Sequence, residues 1–249
     1  MKEKYDRAPI SEVIIGVFYK NPKISVDFLL KNALLSDEYP LLEINPPLTI
    51  AILNGYKLEP VINQNGGPIL IRRRTLDKKW LIQVQSNALY VNWIRPDTEP
   101  VGHYVGYTAV KNQFFSFLSV LEKNLGISLQ EDIILCELSY HDRFSWQAEI
   151  SELSQLNQLM NISTPPKFSE EGYNNNFSQF TFHDSEIQGF GIININTITA
   201  FDNEQLIKVE TNLLGSPTNN LDEWLELAHK KQSDVFEKLF KEDVKKKWK

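Results

Sequence analysis

Cysteine is all but missing from this chain: Cys136 is the only one in 249 residues. A lone cysteine closes no internal disulfide, which excludes a small secreted scaffold stapled by disulfides. Long apolar runs are missing too; none approaches the roughly 18–20 residues that a membrane-spanning helix needs. The first residues, Met1-Lys2-Glu3-Lys4-Tyr5-Asp6-Arg7, are charged, and no apolar stretch of the signal-peptide kind follows them. The expectation is a reducing, cytoplasmic location without membrane contact.

Signatures of chemistry are equally scarce. The histidines are His103, His141, His183 and His229, and no two have a metal-ligand spacing such as His-Glu-x-x-His. Gly66-Gly67-Pro68 lacks both the spacing and the Lys-Ser/Thr of a phosphate loop. Ser185 and Ser216 stand in no nucleophile-elbow context. Cys136, inside the run Ile133-Ile134-Leu135-Cys136-Glu137-Leu138 with no adjacent histidine, reads as a core residue. No metal, no cofactor and no catalytic set is therefore assigned. Positive charge is in deficit as well. Twenty-six Lys and Arg stand against 32 Asp and Glu, a net charge of −6, so the chain lacks the overall electrostatics of a DNA-coating protein.

What is present is enough for a packed core. The chain is 42% hydrophobic, and its 14 Phe, 9 Tyr and 5 Trp argue against long disorder. Residues 9–19 carry apolar side chains on both faces at period two, which predicts a central strand. A helix is expected over 25–35 with Ser25 as its N-cap, an irregular proline-rich stretch over 39–47, a short strand over 48–53 and a turn at 63–68. Three alternating segments, 69–75, 80–85 and 88–94, read as an antiparallel meander. A helix with the apolar stripe Val110, Phe114, Phe117, Leu118, Leu121 and Leu125 follows, stopped by Gly126 at C′.

The second half repeats the order. Strand 132–144, short helix 150–160, polar loop 161–176, strands 177–184, 190–201 and 206–214, and a final helix from 221 to 240 follow in turn. The final helix opens with Asn220 as N-cap, carries Trp224, Leu225, Ala228, Phe236 and Leu239 on one stripe and has its acids first and its lysines last. Corresponding elements lie about 120 residues apart. The fold expected is thus α+β: two pseudo-repeated β-α-β-β-β-α units, 1–127 and 128–249, with antiparallel sheets each backed by a long helix, packed as one compact unit; sheets joined edge to edge would form one curved platform with an exposed concave side. The basic tail Lys245-Lys246-Lys247-Trp248-Lys249 reads as a frayed, solvated end.

Three constellations are candidates for function. Arg72 and Arg74 share a strand face, and with Trp93 and Arg95 they would form a basic, aromatic surface for phosphate or a stacked base; the competing reading is a solvated face with arginine stems laid over aromatics. His141-Asp142 and His183-Asp184 would supply a base and carboxylates if the fold brought them together; the competing reading is surface turn residues. His229 sits beside the apolar stripe of the last helix as a boundary histidine.

The segment Ala8-Pro9-Ile10-Ser11-Glu12-Val13-Ile14-Ile15-Gly16-Val17-Phe18 resembles the start of the TIGR04255 family, a group of uncharacterised, sporadically distributed bacterial proteins. Residues 81–93, 138–144 and 227–236, with Trp248 beyond, extend the resemblance in order over nearly the whole chain. It brings no established activity and no catalytic residues. The sporadic distribution implies an accessory role, in phage defence or a toxin–antitoxin pair. The leading expectation is a non-catalytic binding or adaptor protein with another protein as partner. The alternatives are nucleic-acid or nucleotide binding through Arg72, Arg74, Trp93 and Arg95, and a hydrolase using His141, Asp142, His183 and Asp184.

Overall fold

The computed structural model describes residues 5–19, 21, 23–25, 27–28, 37–48, 50–54, 57–61, 69–96, 98–145, 156–162, 177–199, 205–217 and 220–249. Its strands are β1 (Ile10–Tyr19), β2 (Leu41–Asn45), β3 (Ile50–Asn54), β4 (Lys57–Val61), β5 (Leu70–Arg74), β6 (Trp80–Gln85), β7 (Ala88–Ile94), β8 (Ile133–Ser145), β9 (Phe177–Asp184), β10 (Gly189–Thr199) and β11 (Gln205–Gly215). The helices are α1 (Tyr107–Leu125), α2 (Leu156–Leu159), α3 (Leu221–Leu239) and α4 (Glu242–Lys246). The expected turn at 63–68, most of the helix at 25–35, the start of that at 150–160 and most of the loop at 161–176 lie outside the described residues. Ser25 does act as a cap where it is described, its Oγ accepting from Phe28 N at 3.1 Å.

The expectation of two β-α-β-β-β-α units, each an antiparallel sheet backed by its own long helix, is overturned. Nine strands form one antiparallel sheet in the order β2-β5-β6-β7-β1-β8-β11-β10-β9, and β3 and β4 make a separate hairpin. The described α-helices are few: two of 19 residues and two of 4 and 5. The reason is in β1. It pairs with β7 on one side and with β8 on the other, over nearly its full length. A strand apolar on both faces would be costly as an edge, because its backbone groups would stand unpaired. Joining β1 to β8 removes both edges and fuses what would have been two sheets.

Both long helices lie on one face of this sheet, α1 against β7 and β1, α3 against β8 and β11. They cover one shared core that includes Val13, Ile15, Val17, Val91, Trp93, Leu138 and Tyr140 from the strands, Val110 and Phe114 from α1, and Leu225, Ala228 and Phe236 from α3. The helix signals in the sequence hold. Gly126 caps α1 at φ 68° with its N–H on Glu122 O, and Asn220 Oδ1 accepts from Glu223 N at 2.8 Å at the start of α3. Among the described residues no helix is long and apolar enough to cross a membrane.

The basic tail is not a frayed end. Trp248 is buried, with its ring 5.0 Å from that of Phe240, 5.6 Å from Phe236 and 5.9 Å from Phe144, and its carbonyl accepts from Arg7 N at 2.8 Å. Lys245 is buried with it, its Nζ 2.8 Å from Glu237 Oε2 and also paired with Glu242. The long apolar stem and the paired head let a lysine close a core edge. Composition alone hides this, because the lysines outnumber the one aromatic that anchors them.

Candidate functional site

Side chains alternate across a strand, so register decides which residues share a face. On β1 the residues Val13, Ile15 and Val17 point to the helices, and Glu12, Ile14, Gly16 and Phe18 point the other way. The second face carries no described helix and is called the open face. Register places Asn92, Tyr90 and Ala88 of β7 beside Ile14, Gly16 and Phe18, and His141, Ser139, Glu137 and Leu135 of β8 on the opposite side. Leu81, Gln83 and Gln85 of β6 and Arg72 and Arg74 of β5 extend the same face outward.

A chain of polar side chains crosses this face. Arg72 Nε donates to Gln83 Oε1 at 2.7 Å, Gln83 Nε2 to Asn92 Oδ1 at 3.1 Å, and Asn92 Nδ2 to Glu12 Oε1 at 2.7 Å. Glu12 Oε2 lies 3.0 Å from His141 Nδ1. Five neighbouring strands are linked in this way. Beyond His141, Glu210 faces it in register, paired to Lys208 at 2.6 Å and accepting from Asn194 Nδ2 at 3.1 Å.

A cleft of about 480 Å³ opens over the first part of this chain, lined by Arg72, Arg74, Gln83, Asn92, Glu12 and Glu137 among its polar groups. Tyr90 makes its floor. Its ring lies where a Cβ on Gly16 would stand, 2.2 Å away, so glycine is required there for the ring to cross β1. The Tyr90 hydroxyl thereby reaches Glu137 Oε2 at 3.3 Å, while Ser139 Oγ donates to Glu137 Oε1 at 2.7 Å. Gly16→Ala is expected to push Tyr90 off Glu137 and to cost about 1–3 kcal/mol by overpacking. Denaturant unfolding of the variant checks this; an unchanged midpoint would show that the ring has room to move.

The two carboxyls differ in their proton affinity. Burial works to raise Glu12, but the hydrogen bond and charge of His141, the Asn92 amide and the charge of Lys208 outweigh it and hold Glu12 below its ordinary value. For Glu137 burial prevails over the Ser139 and Tyr90 hydroxyls, and its carboxyl is pushed up. Burial thus makes Glu137 hold its proton more tightly than an ordinary carboxyl, while its partners make Glu12 release its proton more readily.

The residues singled out in the sequence are divided by the fold. Arg72 and Arg74 both line the cleft, Arg74 with its Nε on Glu43 at 3.2 Å. Trp93 and Arg95 do not join them. They point to the helix face, where Trp93 packs 5.1 Å from Tyr104 and Arg95 is buried. His141 is on the open face, but Asp142, its neighbour in the strand, is necessarily on the other and is buried. His183 is exposed on β9, three strands from β8, which is about 14 Å at ~4.8 Å per strand. Asp184 holds a turn, its Oδ1 accepting from Glu186 N at 2.9 Å and its Oδ2 pairing with Lys231 at 3.2 Å. His141, Asp142, His183 and Asp184 therefore share no common reaction centre.

His229 lies between the layers. Its ring stacks on Tyr107 at 3.8 Å, and its Nδ1 is 3.2 Å from the hydroxyl of Tyr140, which is itself 3.2 Å from that of Tyr104. Burial pushes its pKa down to about 4. It is held as the neutral imidazole inside the core.

Glu12, Gln83, Tyr90, Asn92 and Glu137 were not singled out by the sequence. The signal that could have found them is a solitary polar residue in an otherwise apolar strand, as Glu137 is between Cys136 and Leu138. Among the described residues no group of three or more His, Cys, Asp or Glu side chains could hold a metal ion. The chain matches no protein-family model, no curated protein and no solved structure.

Proposed function

We propose that this is a non-catalytic binding protein whose open sheet face is its recognition surface. The observation that carries the reading is the hydrogen-bonded chain Arg72–Gln83–Asn92–Glu12–His141 across five strands. Strand positions that serve stability alone favour apolar and β-branched side chains, and partly satisfied polar groups in a recessed place are costly. Lining a cleft with them is explained by a ligand that completes their hydrogen bonding. Polymeric nucleic acid is the weaker reading of the same face. Trp93, the aromatic it would stack on, is buried on the far side, and the acids of the face would repel successive phosphates.

The compartment assigned is the cytoplasm, where the single cysteine has no disulfide to form. An accessory role in a bacterial defence or toxin–antitoxin system, with another protein as partner, rests on the family resemblance alone.

The test is a melting-temperature screen of the full chain against panels of metabolites, peptides and oligonucleotides. A binder is expected to raise the melting temperature of the natural protein, to be recovered chemically unchanged, and to lose its effect with Arg72→Glu but not with Lys123→Glu on the exposed side of α1. Conversion of the binder into a product, or an effect that survives Arg72→Glu, would overturn the reading.

A further inference from the structure

The cleft on the open face is bipolar, with arginines at one end and carboxyls at the other. At one end stand Arg72 and Arg74, on the same face of β5 and about 7 Å apart along it. Each is held at Nε among the described residues, Arg72 by Gln83 and Arg74 by Glu43. A guanidinium has five N–H donors, so each keeps its terminal nitrogens for a ligand while Nε fixes the direction of the fork. At the other end stand Glu12 and Glu137. Each of their four oxygens has one protein donor or histidine contact, from Asn92, His141, Ser139 and Tyr90. A carboxylate oxygen has two acceptor directions, so each oxygen retains one. Between the ends lie the amides of Gln83 and Asn92, with the Tyr90 ring beneath and Leu48, Ile14, Leu81 and Ile94 as walls.

We propose that this cleft binds the phosphate monoester of a hydroxyl-rich small molecule, a nucleoside monophosphate or a sugar phosphate, with the phosphate on Arg72 and Arg74 and the hydroxyls on Glu12 and Glu137. The proposal rests on the open face being the recognition surface. Three features select this chemistry. One arginine fork saturates the two oxygens of a carboxylate, whereas the three oxygens of a phosphate monoester can take two forks at once. The acids at the far end accept from hydroxyls, which carry no charge of their own and so add no repulsion. Their strands lie three and four spacings from β5, about 14 Å for β1 and about 19 Å for β8, which suits a ligand longer than inorganic phosphate.

Isothermal titration calorimetry of the full chain decides the matter. The panel is adenosine, guanosine, cytidine and uridine monophosphates, ribose 5-phosphate, glucose 6-phosphate, their unphosphorylated parents, inorganic phosphate and glycylglycine. At least one monoester is expected to bind at least ten-fold tighter than its parent alcohol and than inorganic phosphate. Arg72→Gln should weaken it by ten-fold or more, Arg72→Lys should recover only part, and Glu12→Gln should reduce the preference for the hydroxyl-bearing ligand over inorganic phosphate. Binding of nucleoside monophosphates without sugar phosphates assigns the nucleotide, and the reverse assigns the sugar. Because the natural protein alone is compared with the whole panel, a variant that fails to fold leaves the first result standing. Binding of inorganic phosphate as tightly as any monoester, or no binding of any monoester at millimolar concentration, overturns the proposal. If glycylglycine or another class binds in an Arg72-dependent way instead, the open face remains the recognition surface and only its ligand class is wrong.

Discussion

Trp248→Ala is expected to lower the free energy of unfolding by about 3 kcal/mol, the low end of the range for removing a buried aromatic, because a terminal segment can relax around the loss. The ring closes a cluster with Phe144 of β8, Phe236 of α3 and Phe240 just after it. It also fixes the carbonyl that receives Arg7 N and the turn that buries Lys245 against Glu237. Three separate stretches of chain meet there. Removal should therefore loosen both the leading segment and the end of α3, and amide exchange should quicken around Phe240 as well as at the tail. Urea unfolding of Trp248→Ala beside Lys249→Ala, whose side chain is exposed, measures the effect. A difference below about 1 kcal/mol between the two would restore the frayed-tail reading that the lysines suggest.

That tail illustrates what a sequence makes legible. Alternation within a strand is local, and the segments 80–85, 88–94 and 177–184 stand where the pattern put them. β2 was read as irregular because Pro40, Pro46 and Pro47 flank it. It is an edge strand, the one place in a sheet that tolerates such neighbours. The pairing of β1 with β8 joins residues more than a hundred positions apart, and no local signal carries it. The same holds for the site. The shared face of Arg72 and Arg74, and the alternation that sets Trp93 apart from Asn92, are readable in the strand. Which face the helices would cover is not, and that choice sent Trp93 into the core and left Asn92 in the cleft. His141 and Asp142, adjacent in a strand, were bound to point apart, and that much the spacing could have told.

Asp142 and His229 should make opposite contributions to the pH dependence of stability that nearly cancel from about pH 4 to 6.5, so that the two substitutions tilt the profile in opposite directions. Both groups lie on the helix face. Burial, only partly offset by the charge of Arg95, pushes Asp142 from 3.8 up to about 7. Between those values the folded state holds a proton that the unfolded chain releases. The Asp142 contribution is thus most favourable below about pH 4 and is lost as pH rises through 7. His229 runs the other way. Burial takes it from 6.5 down to about 4, so the unfolded chain binds the proton first. Its contribution is complete above pH 6.5 and is lost as pH falls through 4. Over the shared window one proton gained on folding cancels one proton released, and the slopes cancel with them. Asp142→Asn removes one side of the balance, and against the natural protein its stability should then rise by about 2–3 kcal/mol from pH 4 to 6.5. His229→Phe removes the other, and against the natural protein its stability should fall by about 3 kcal/mol from pH 4 to 7. At pH 8, where Asp142 is buried as an anion, Asp142→Asn should exceed the natural protein by about 2–4 kcal/mol. Urea unfolding of the three proteins at half-unit steps from pH 4 to 8 reads the differences directly, since the remaining titrating groups are common to all. Parallel profiles would mean that neither group changes its proton affinity on folding, and that the pocket beneath the helices is wetter than its packing implies.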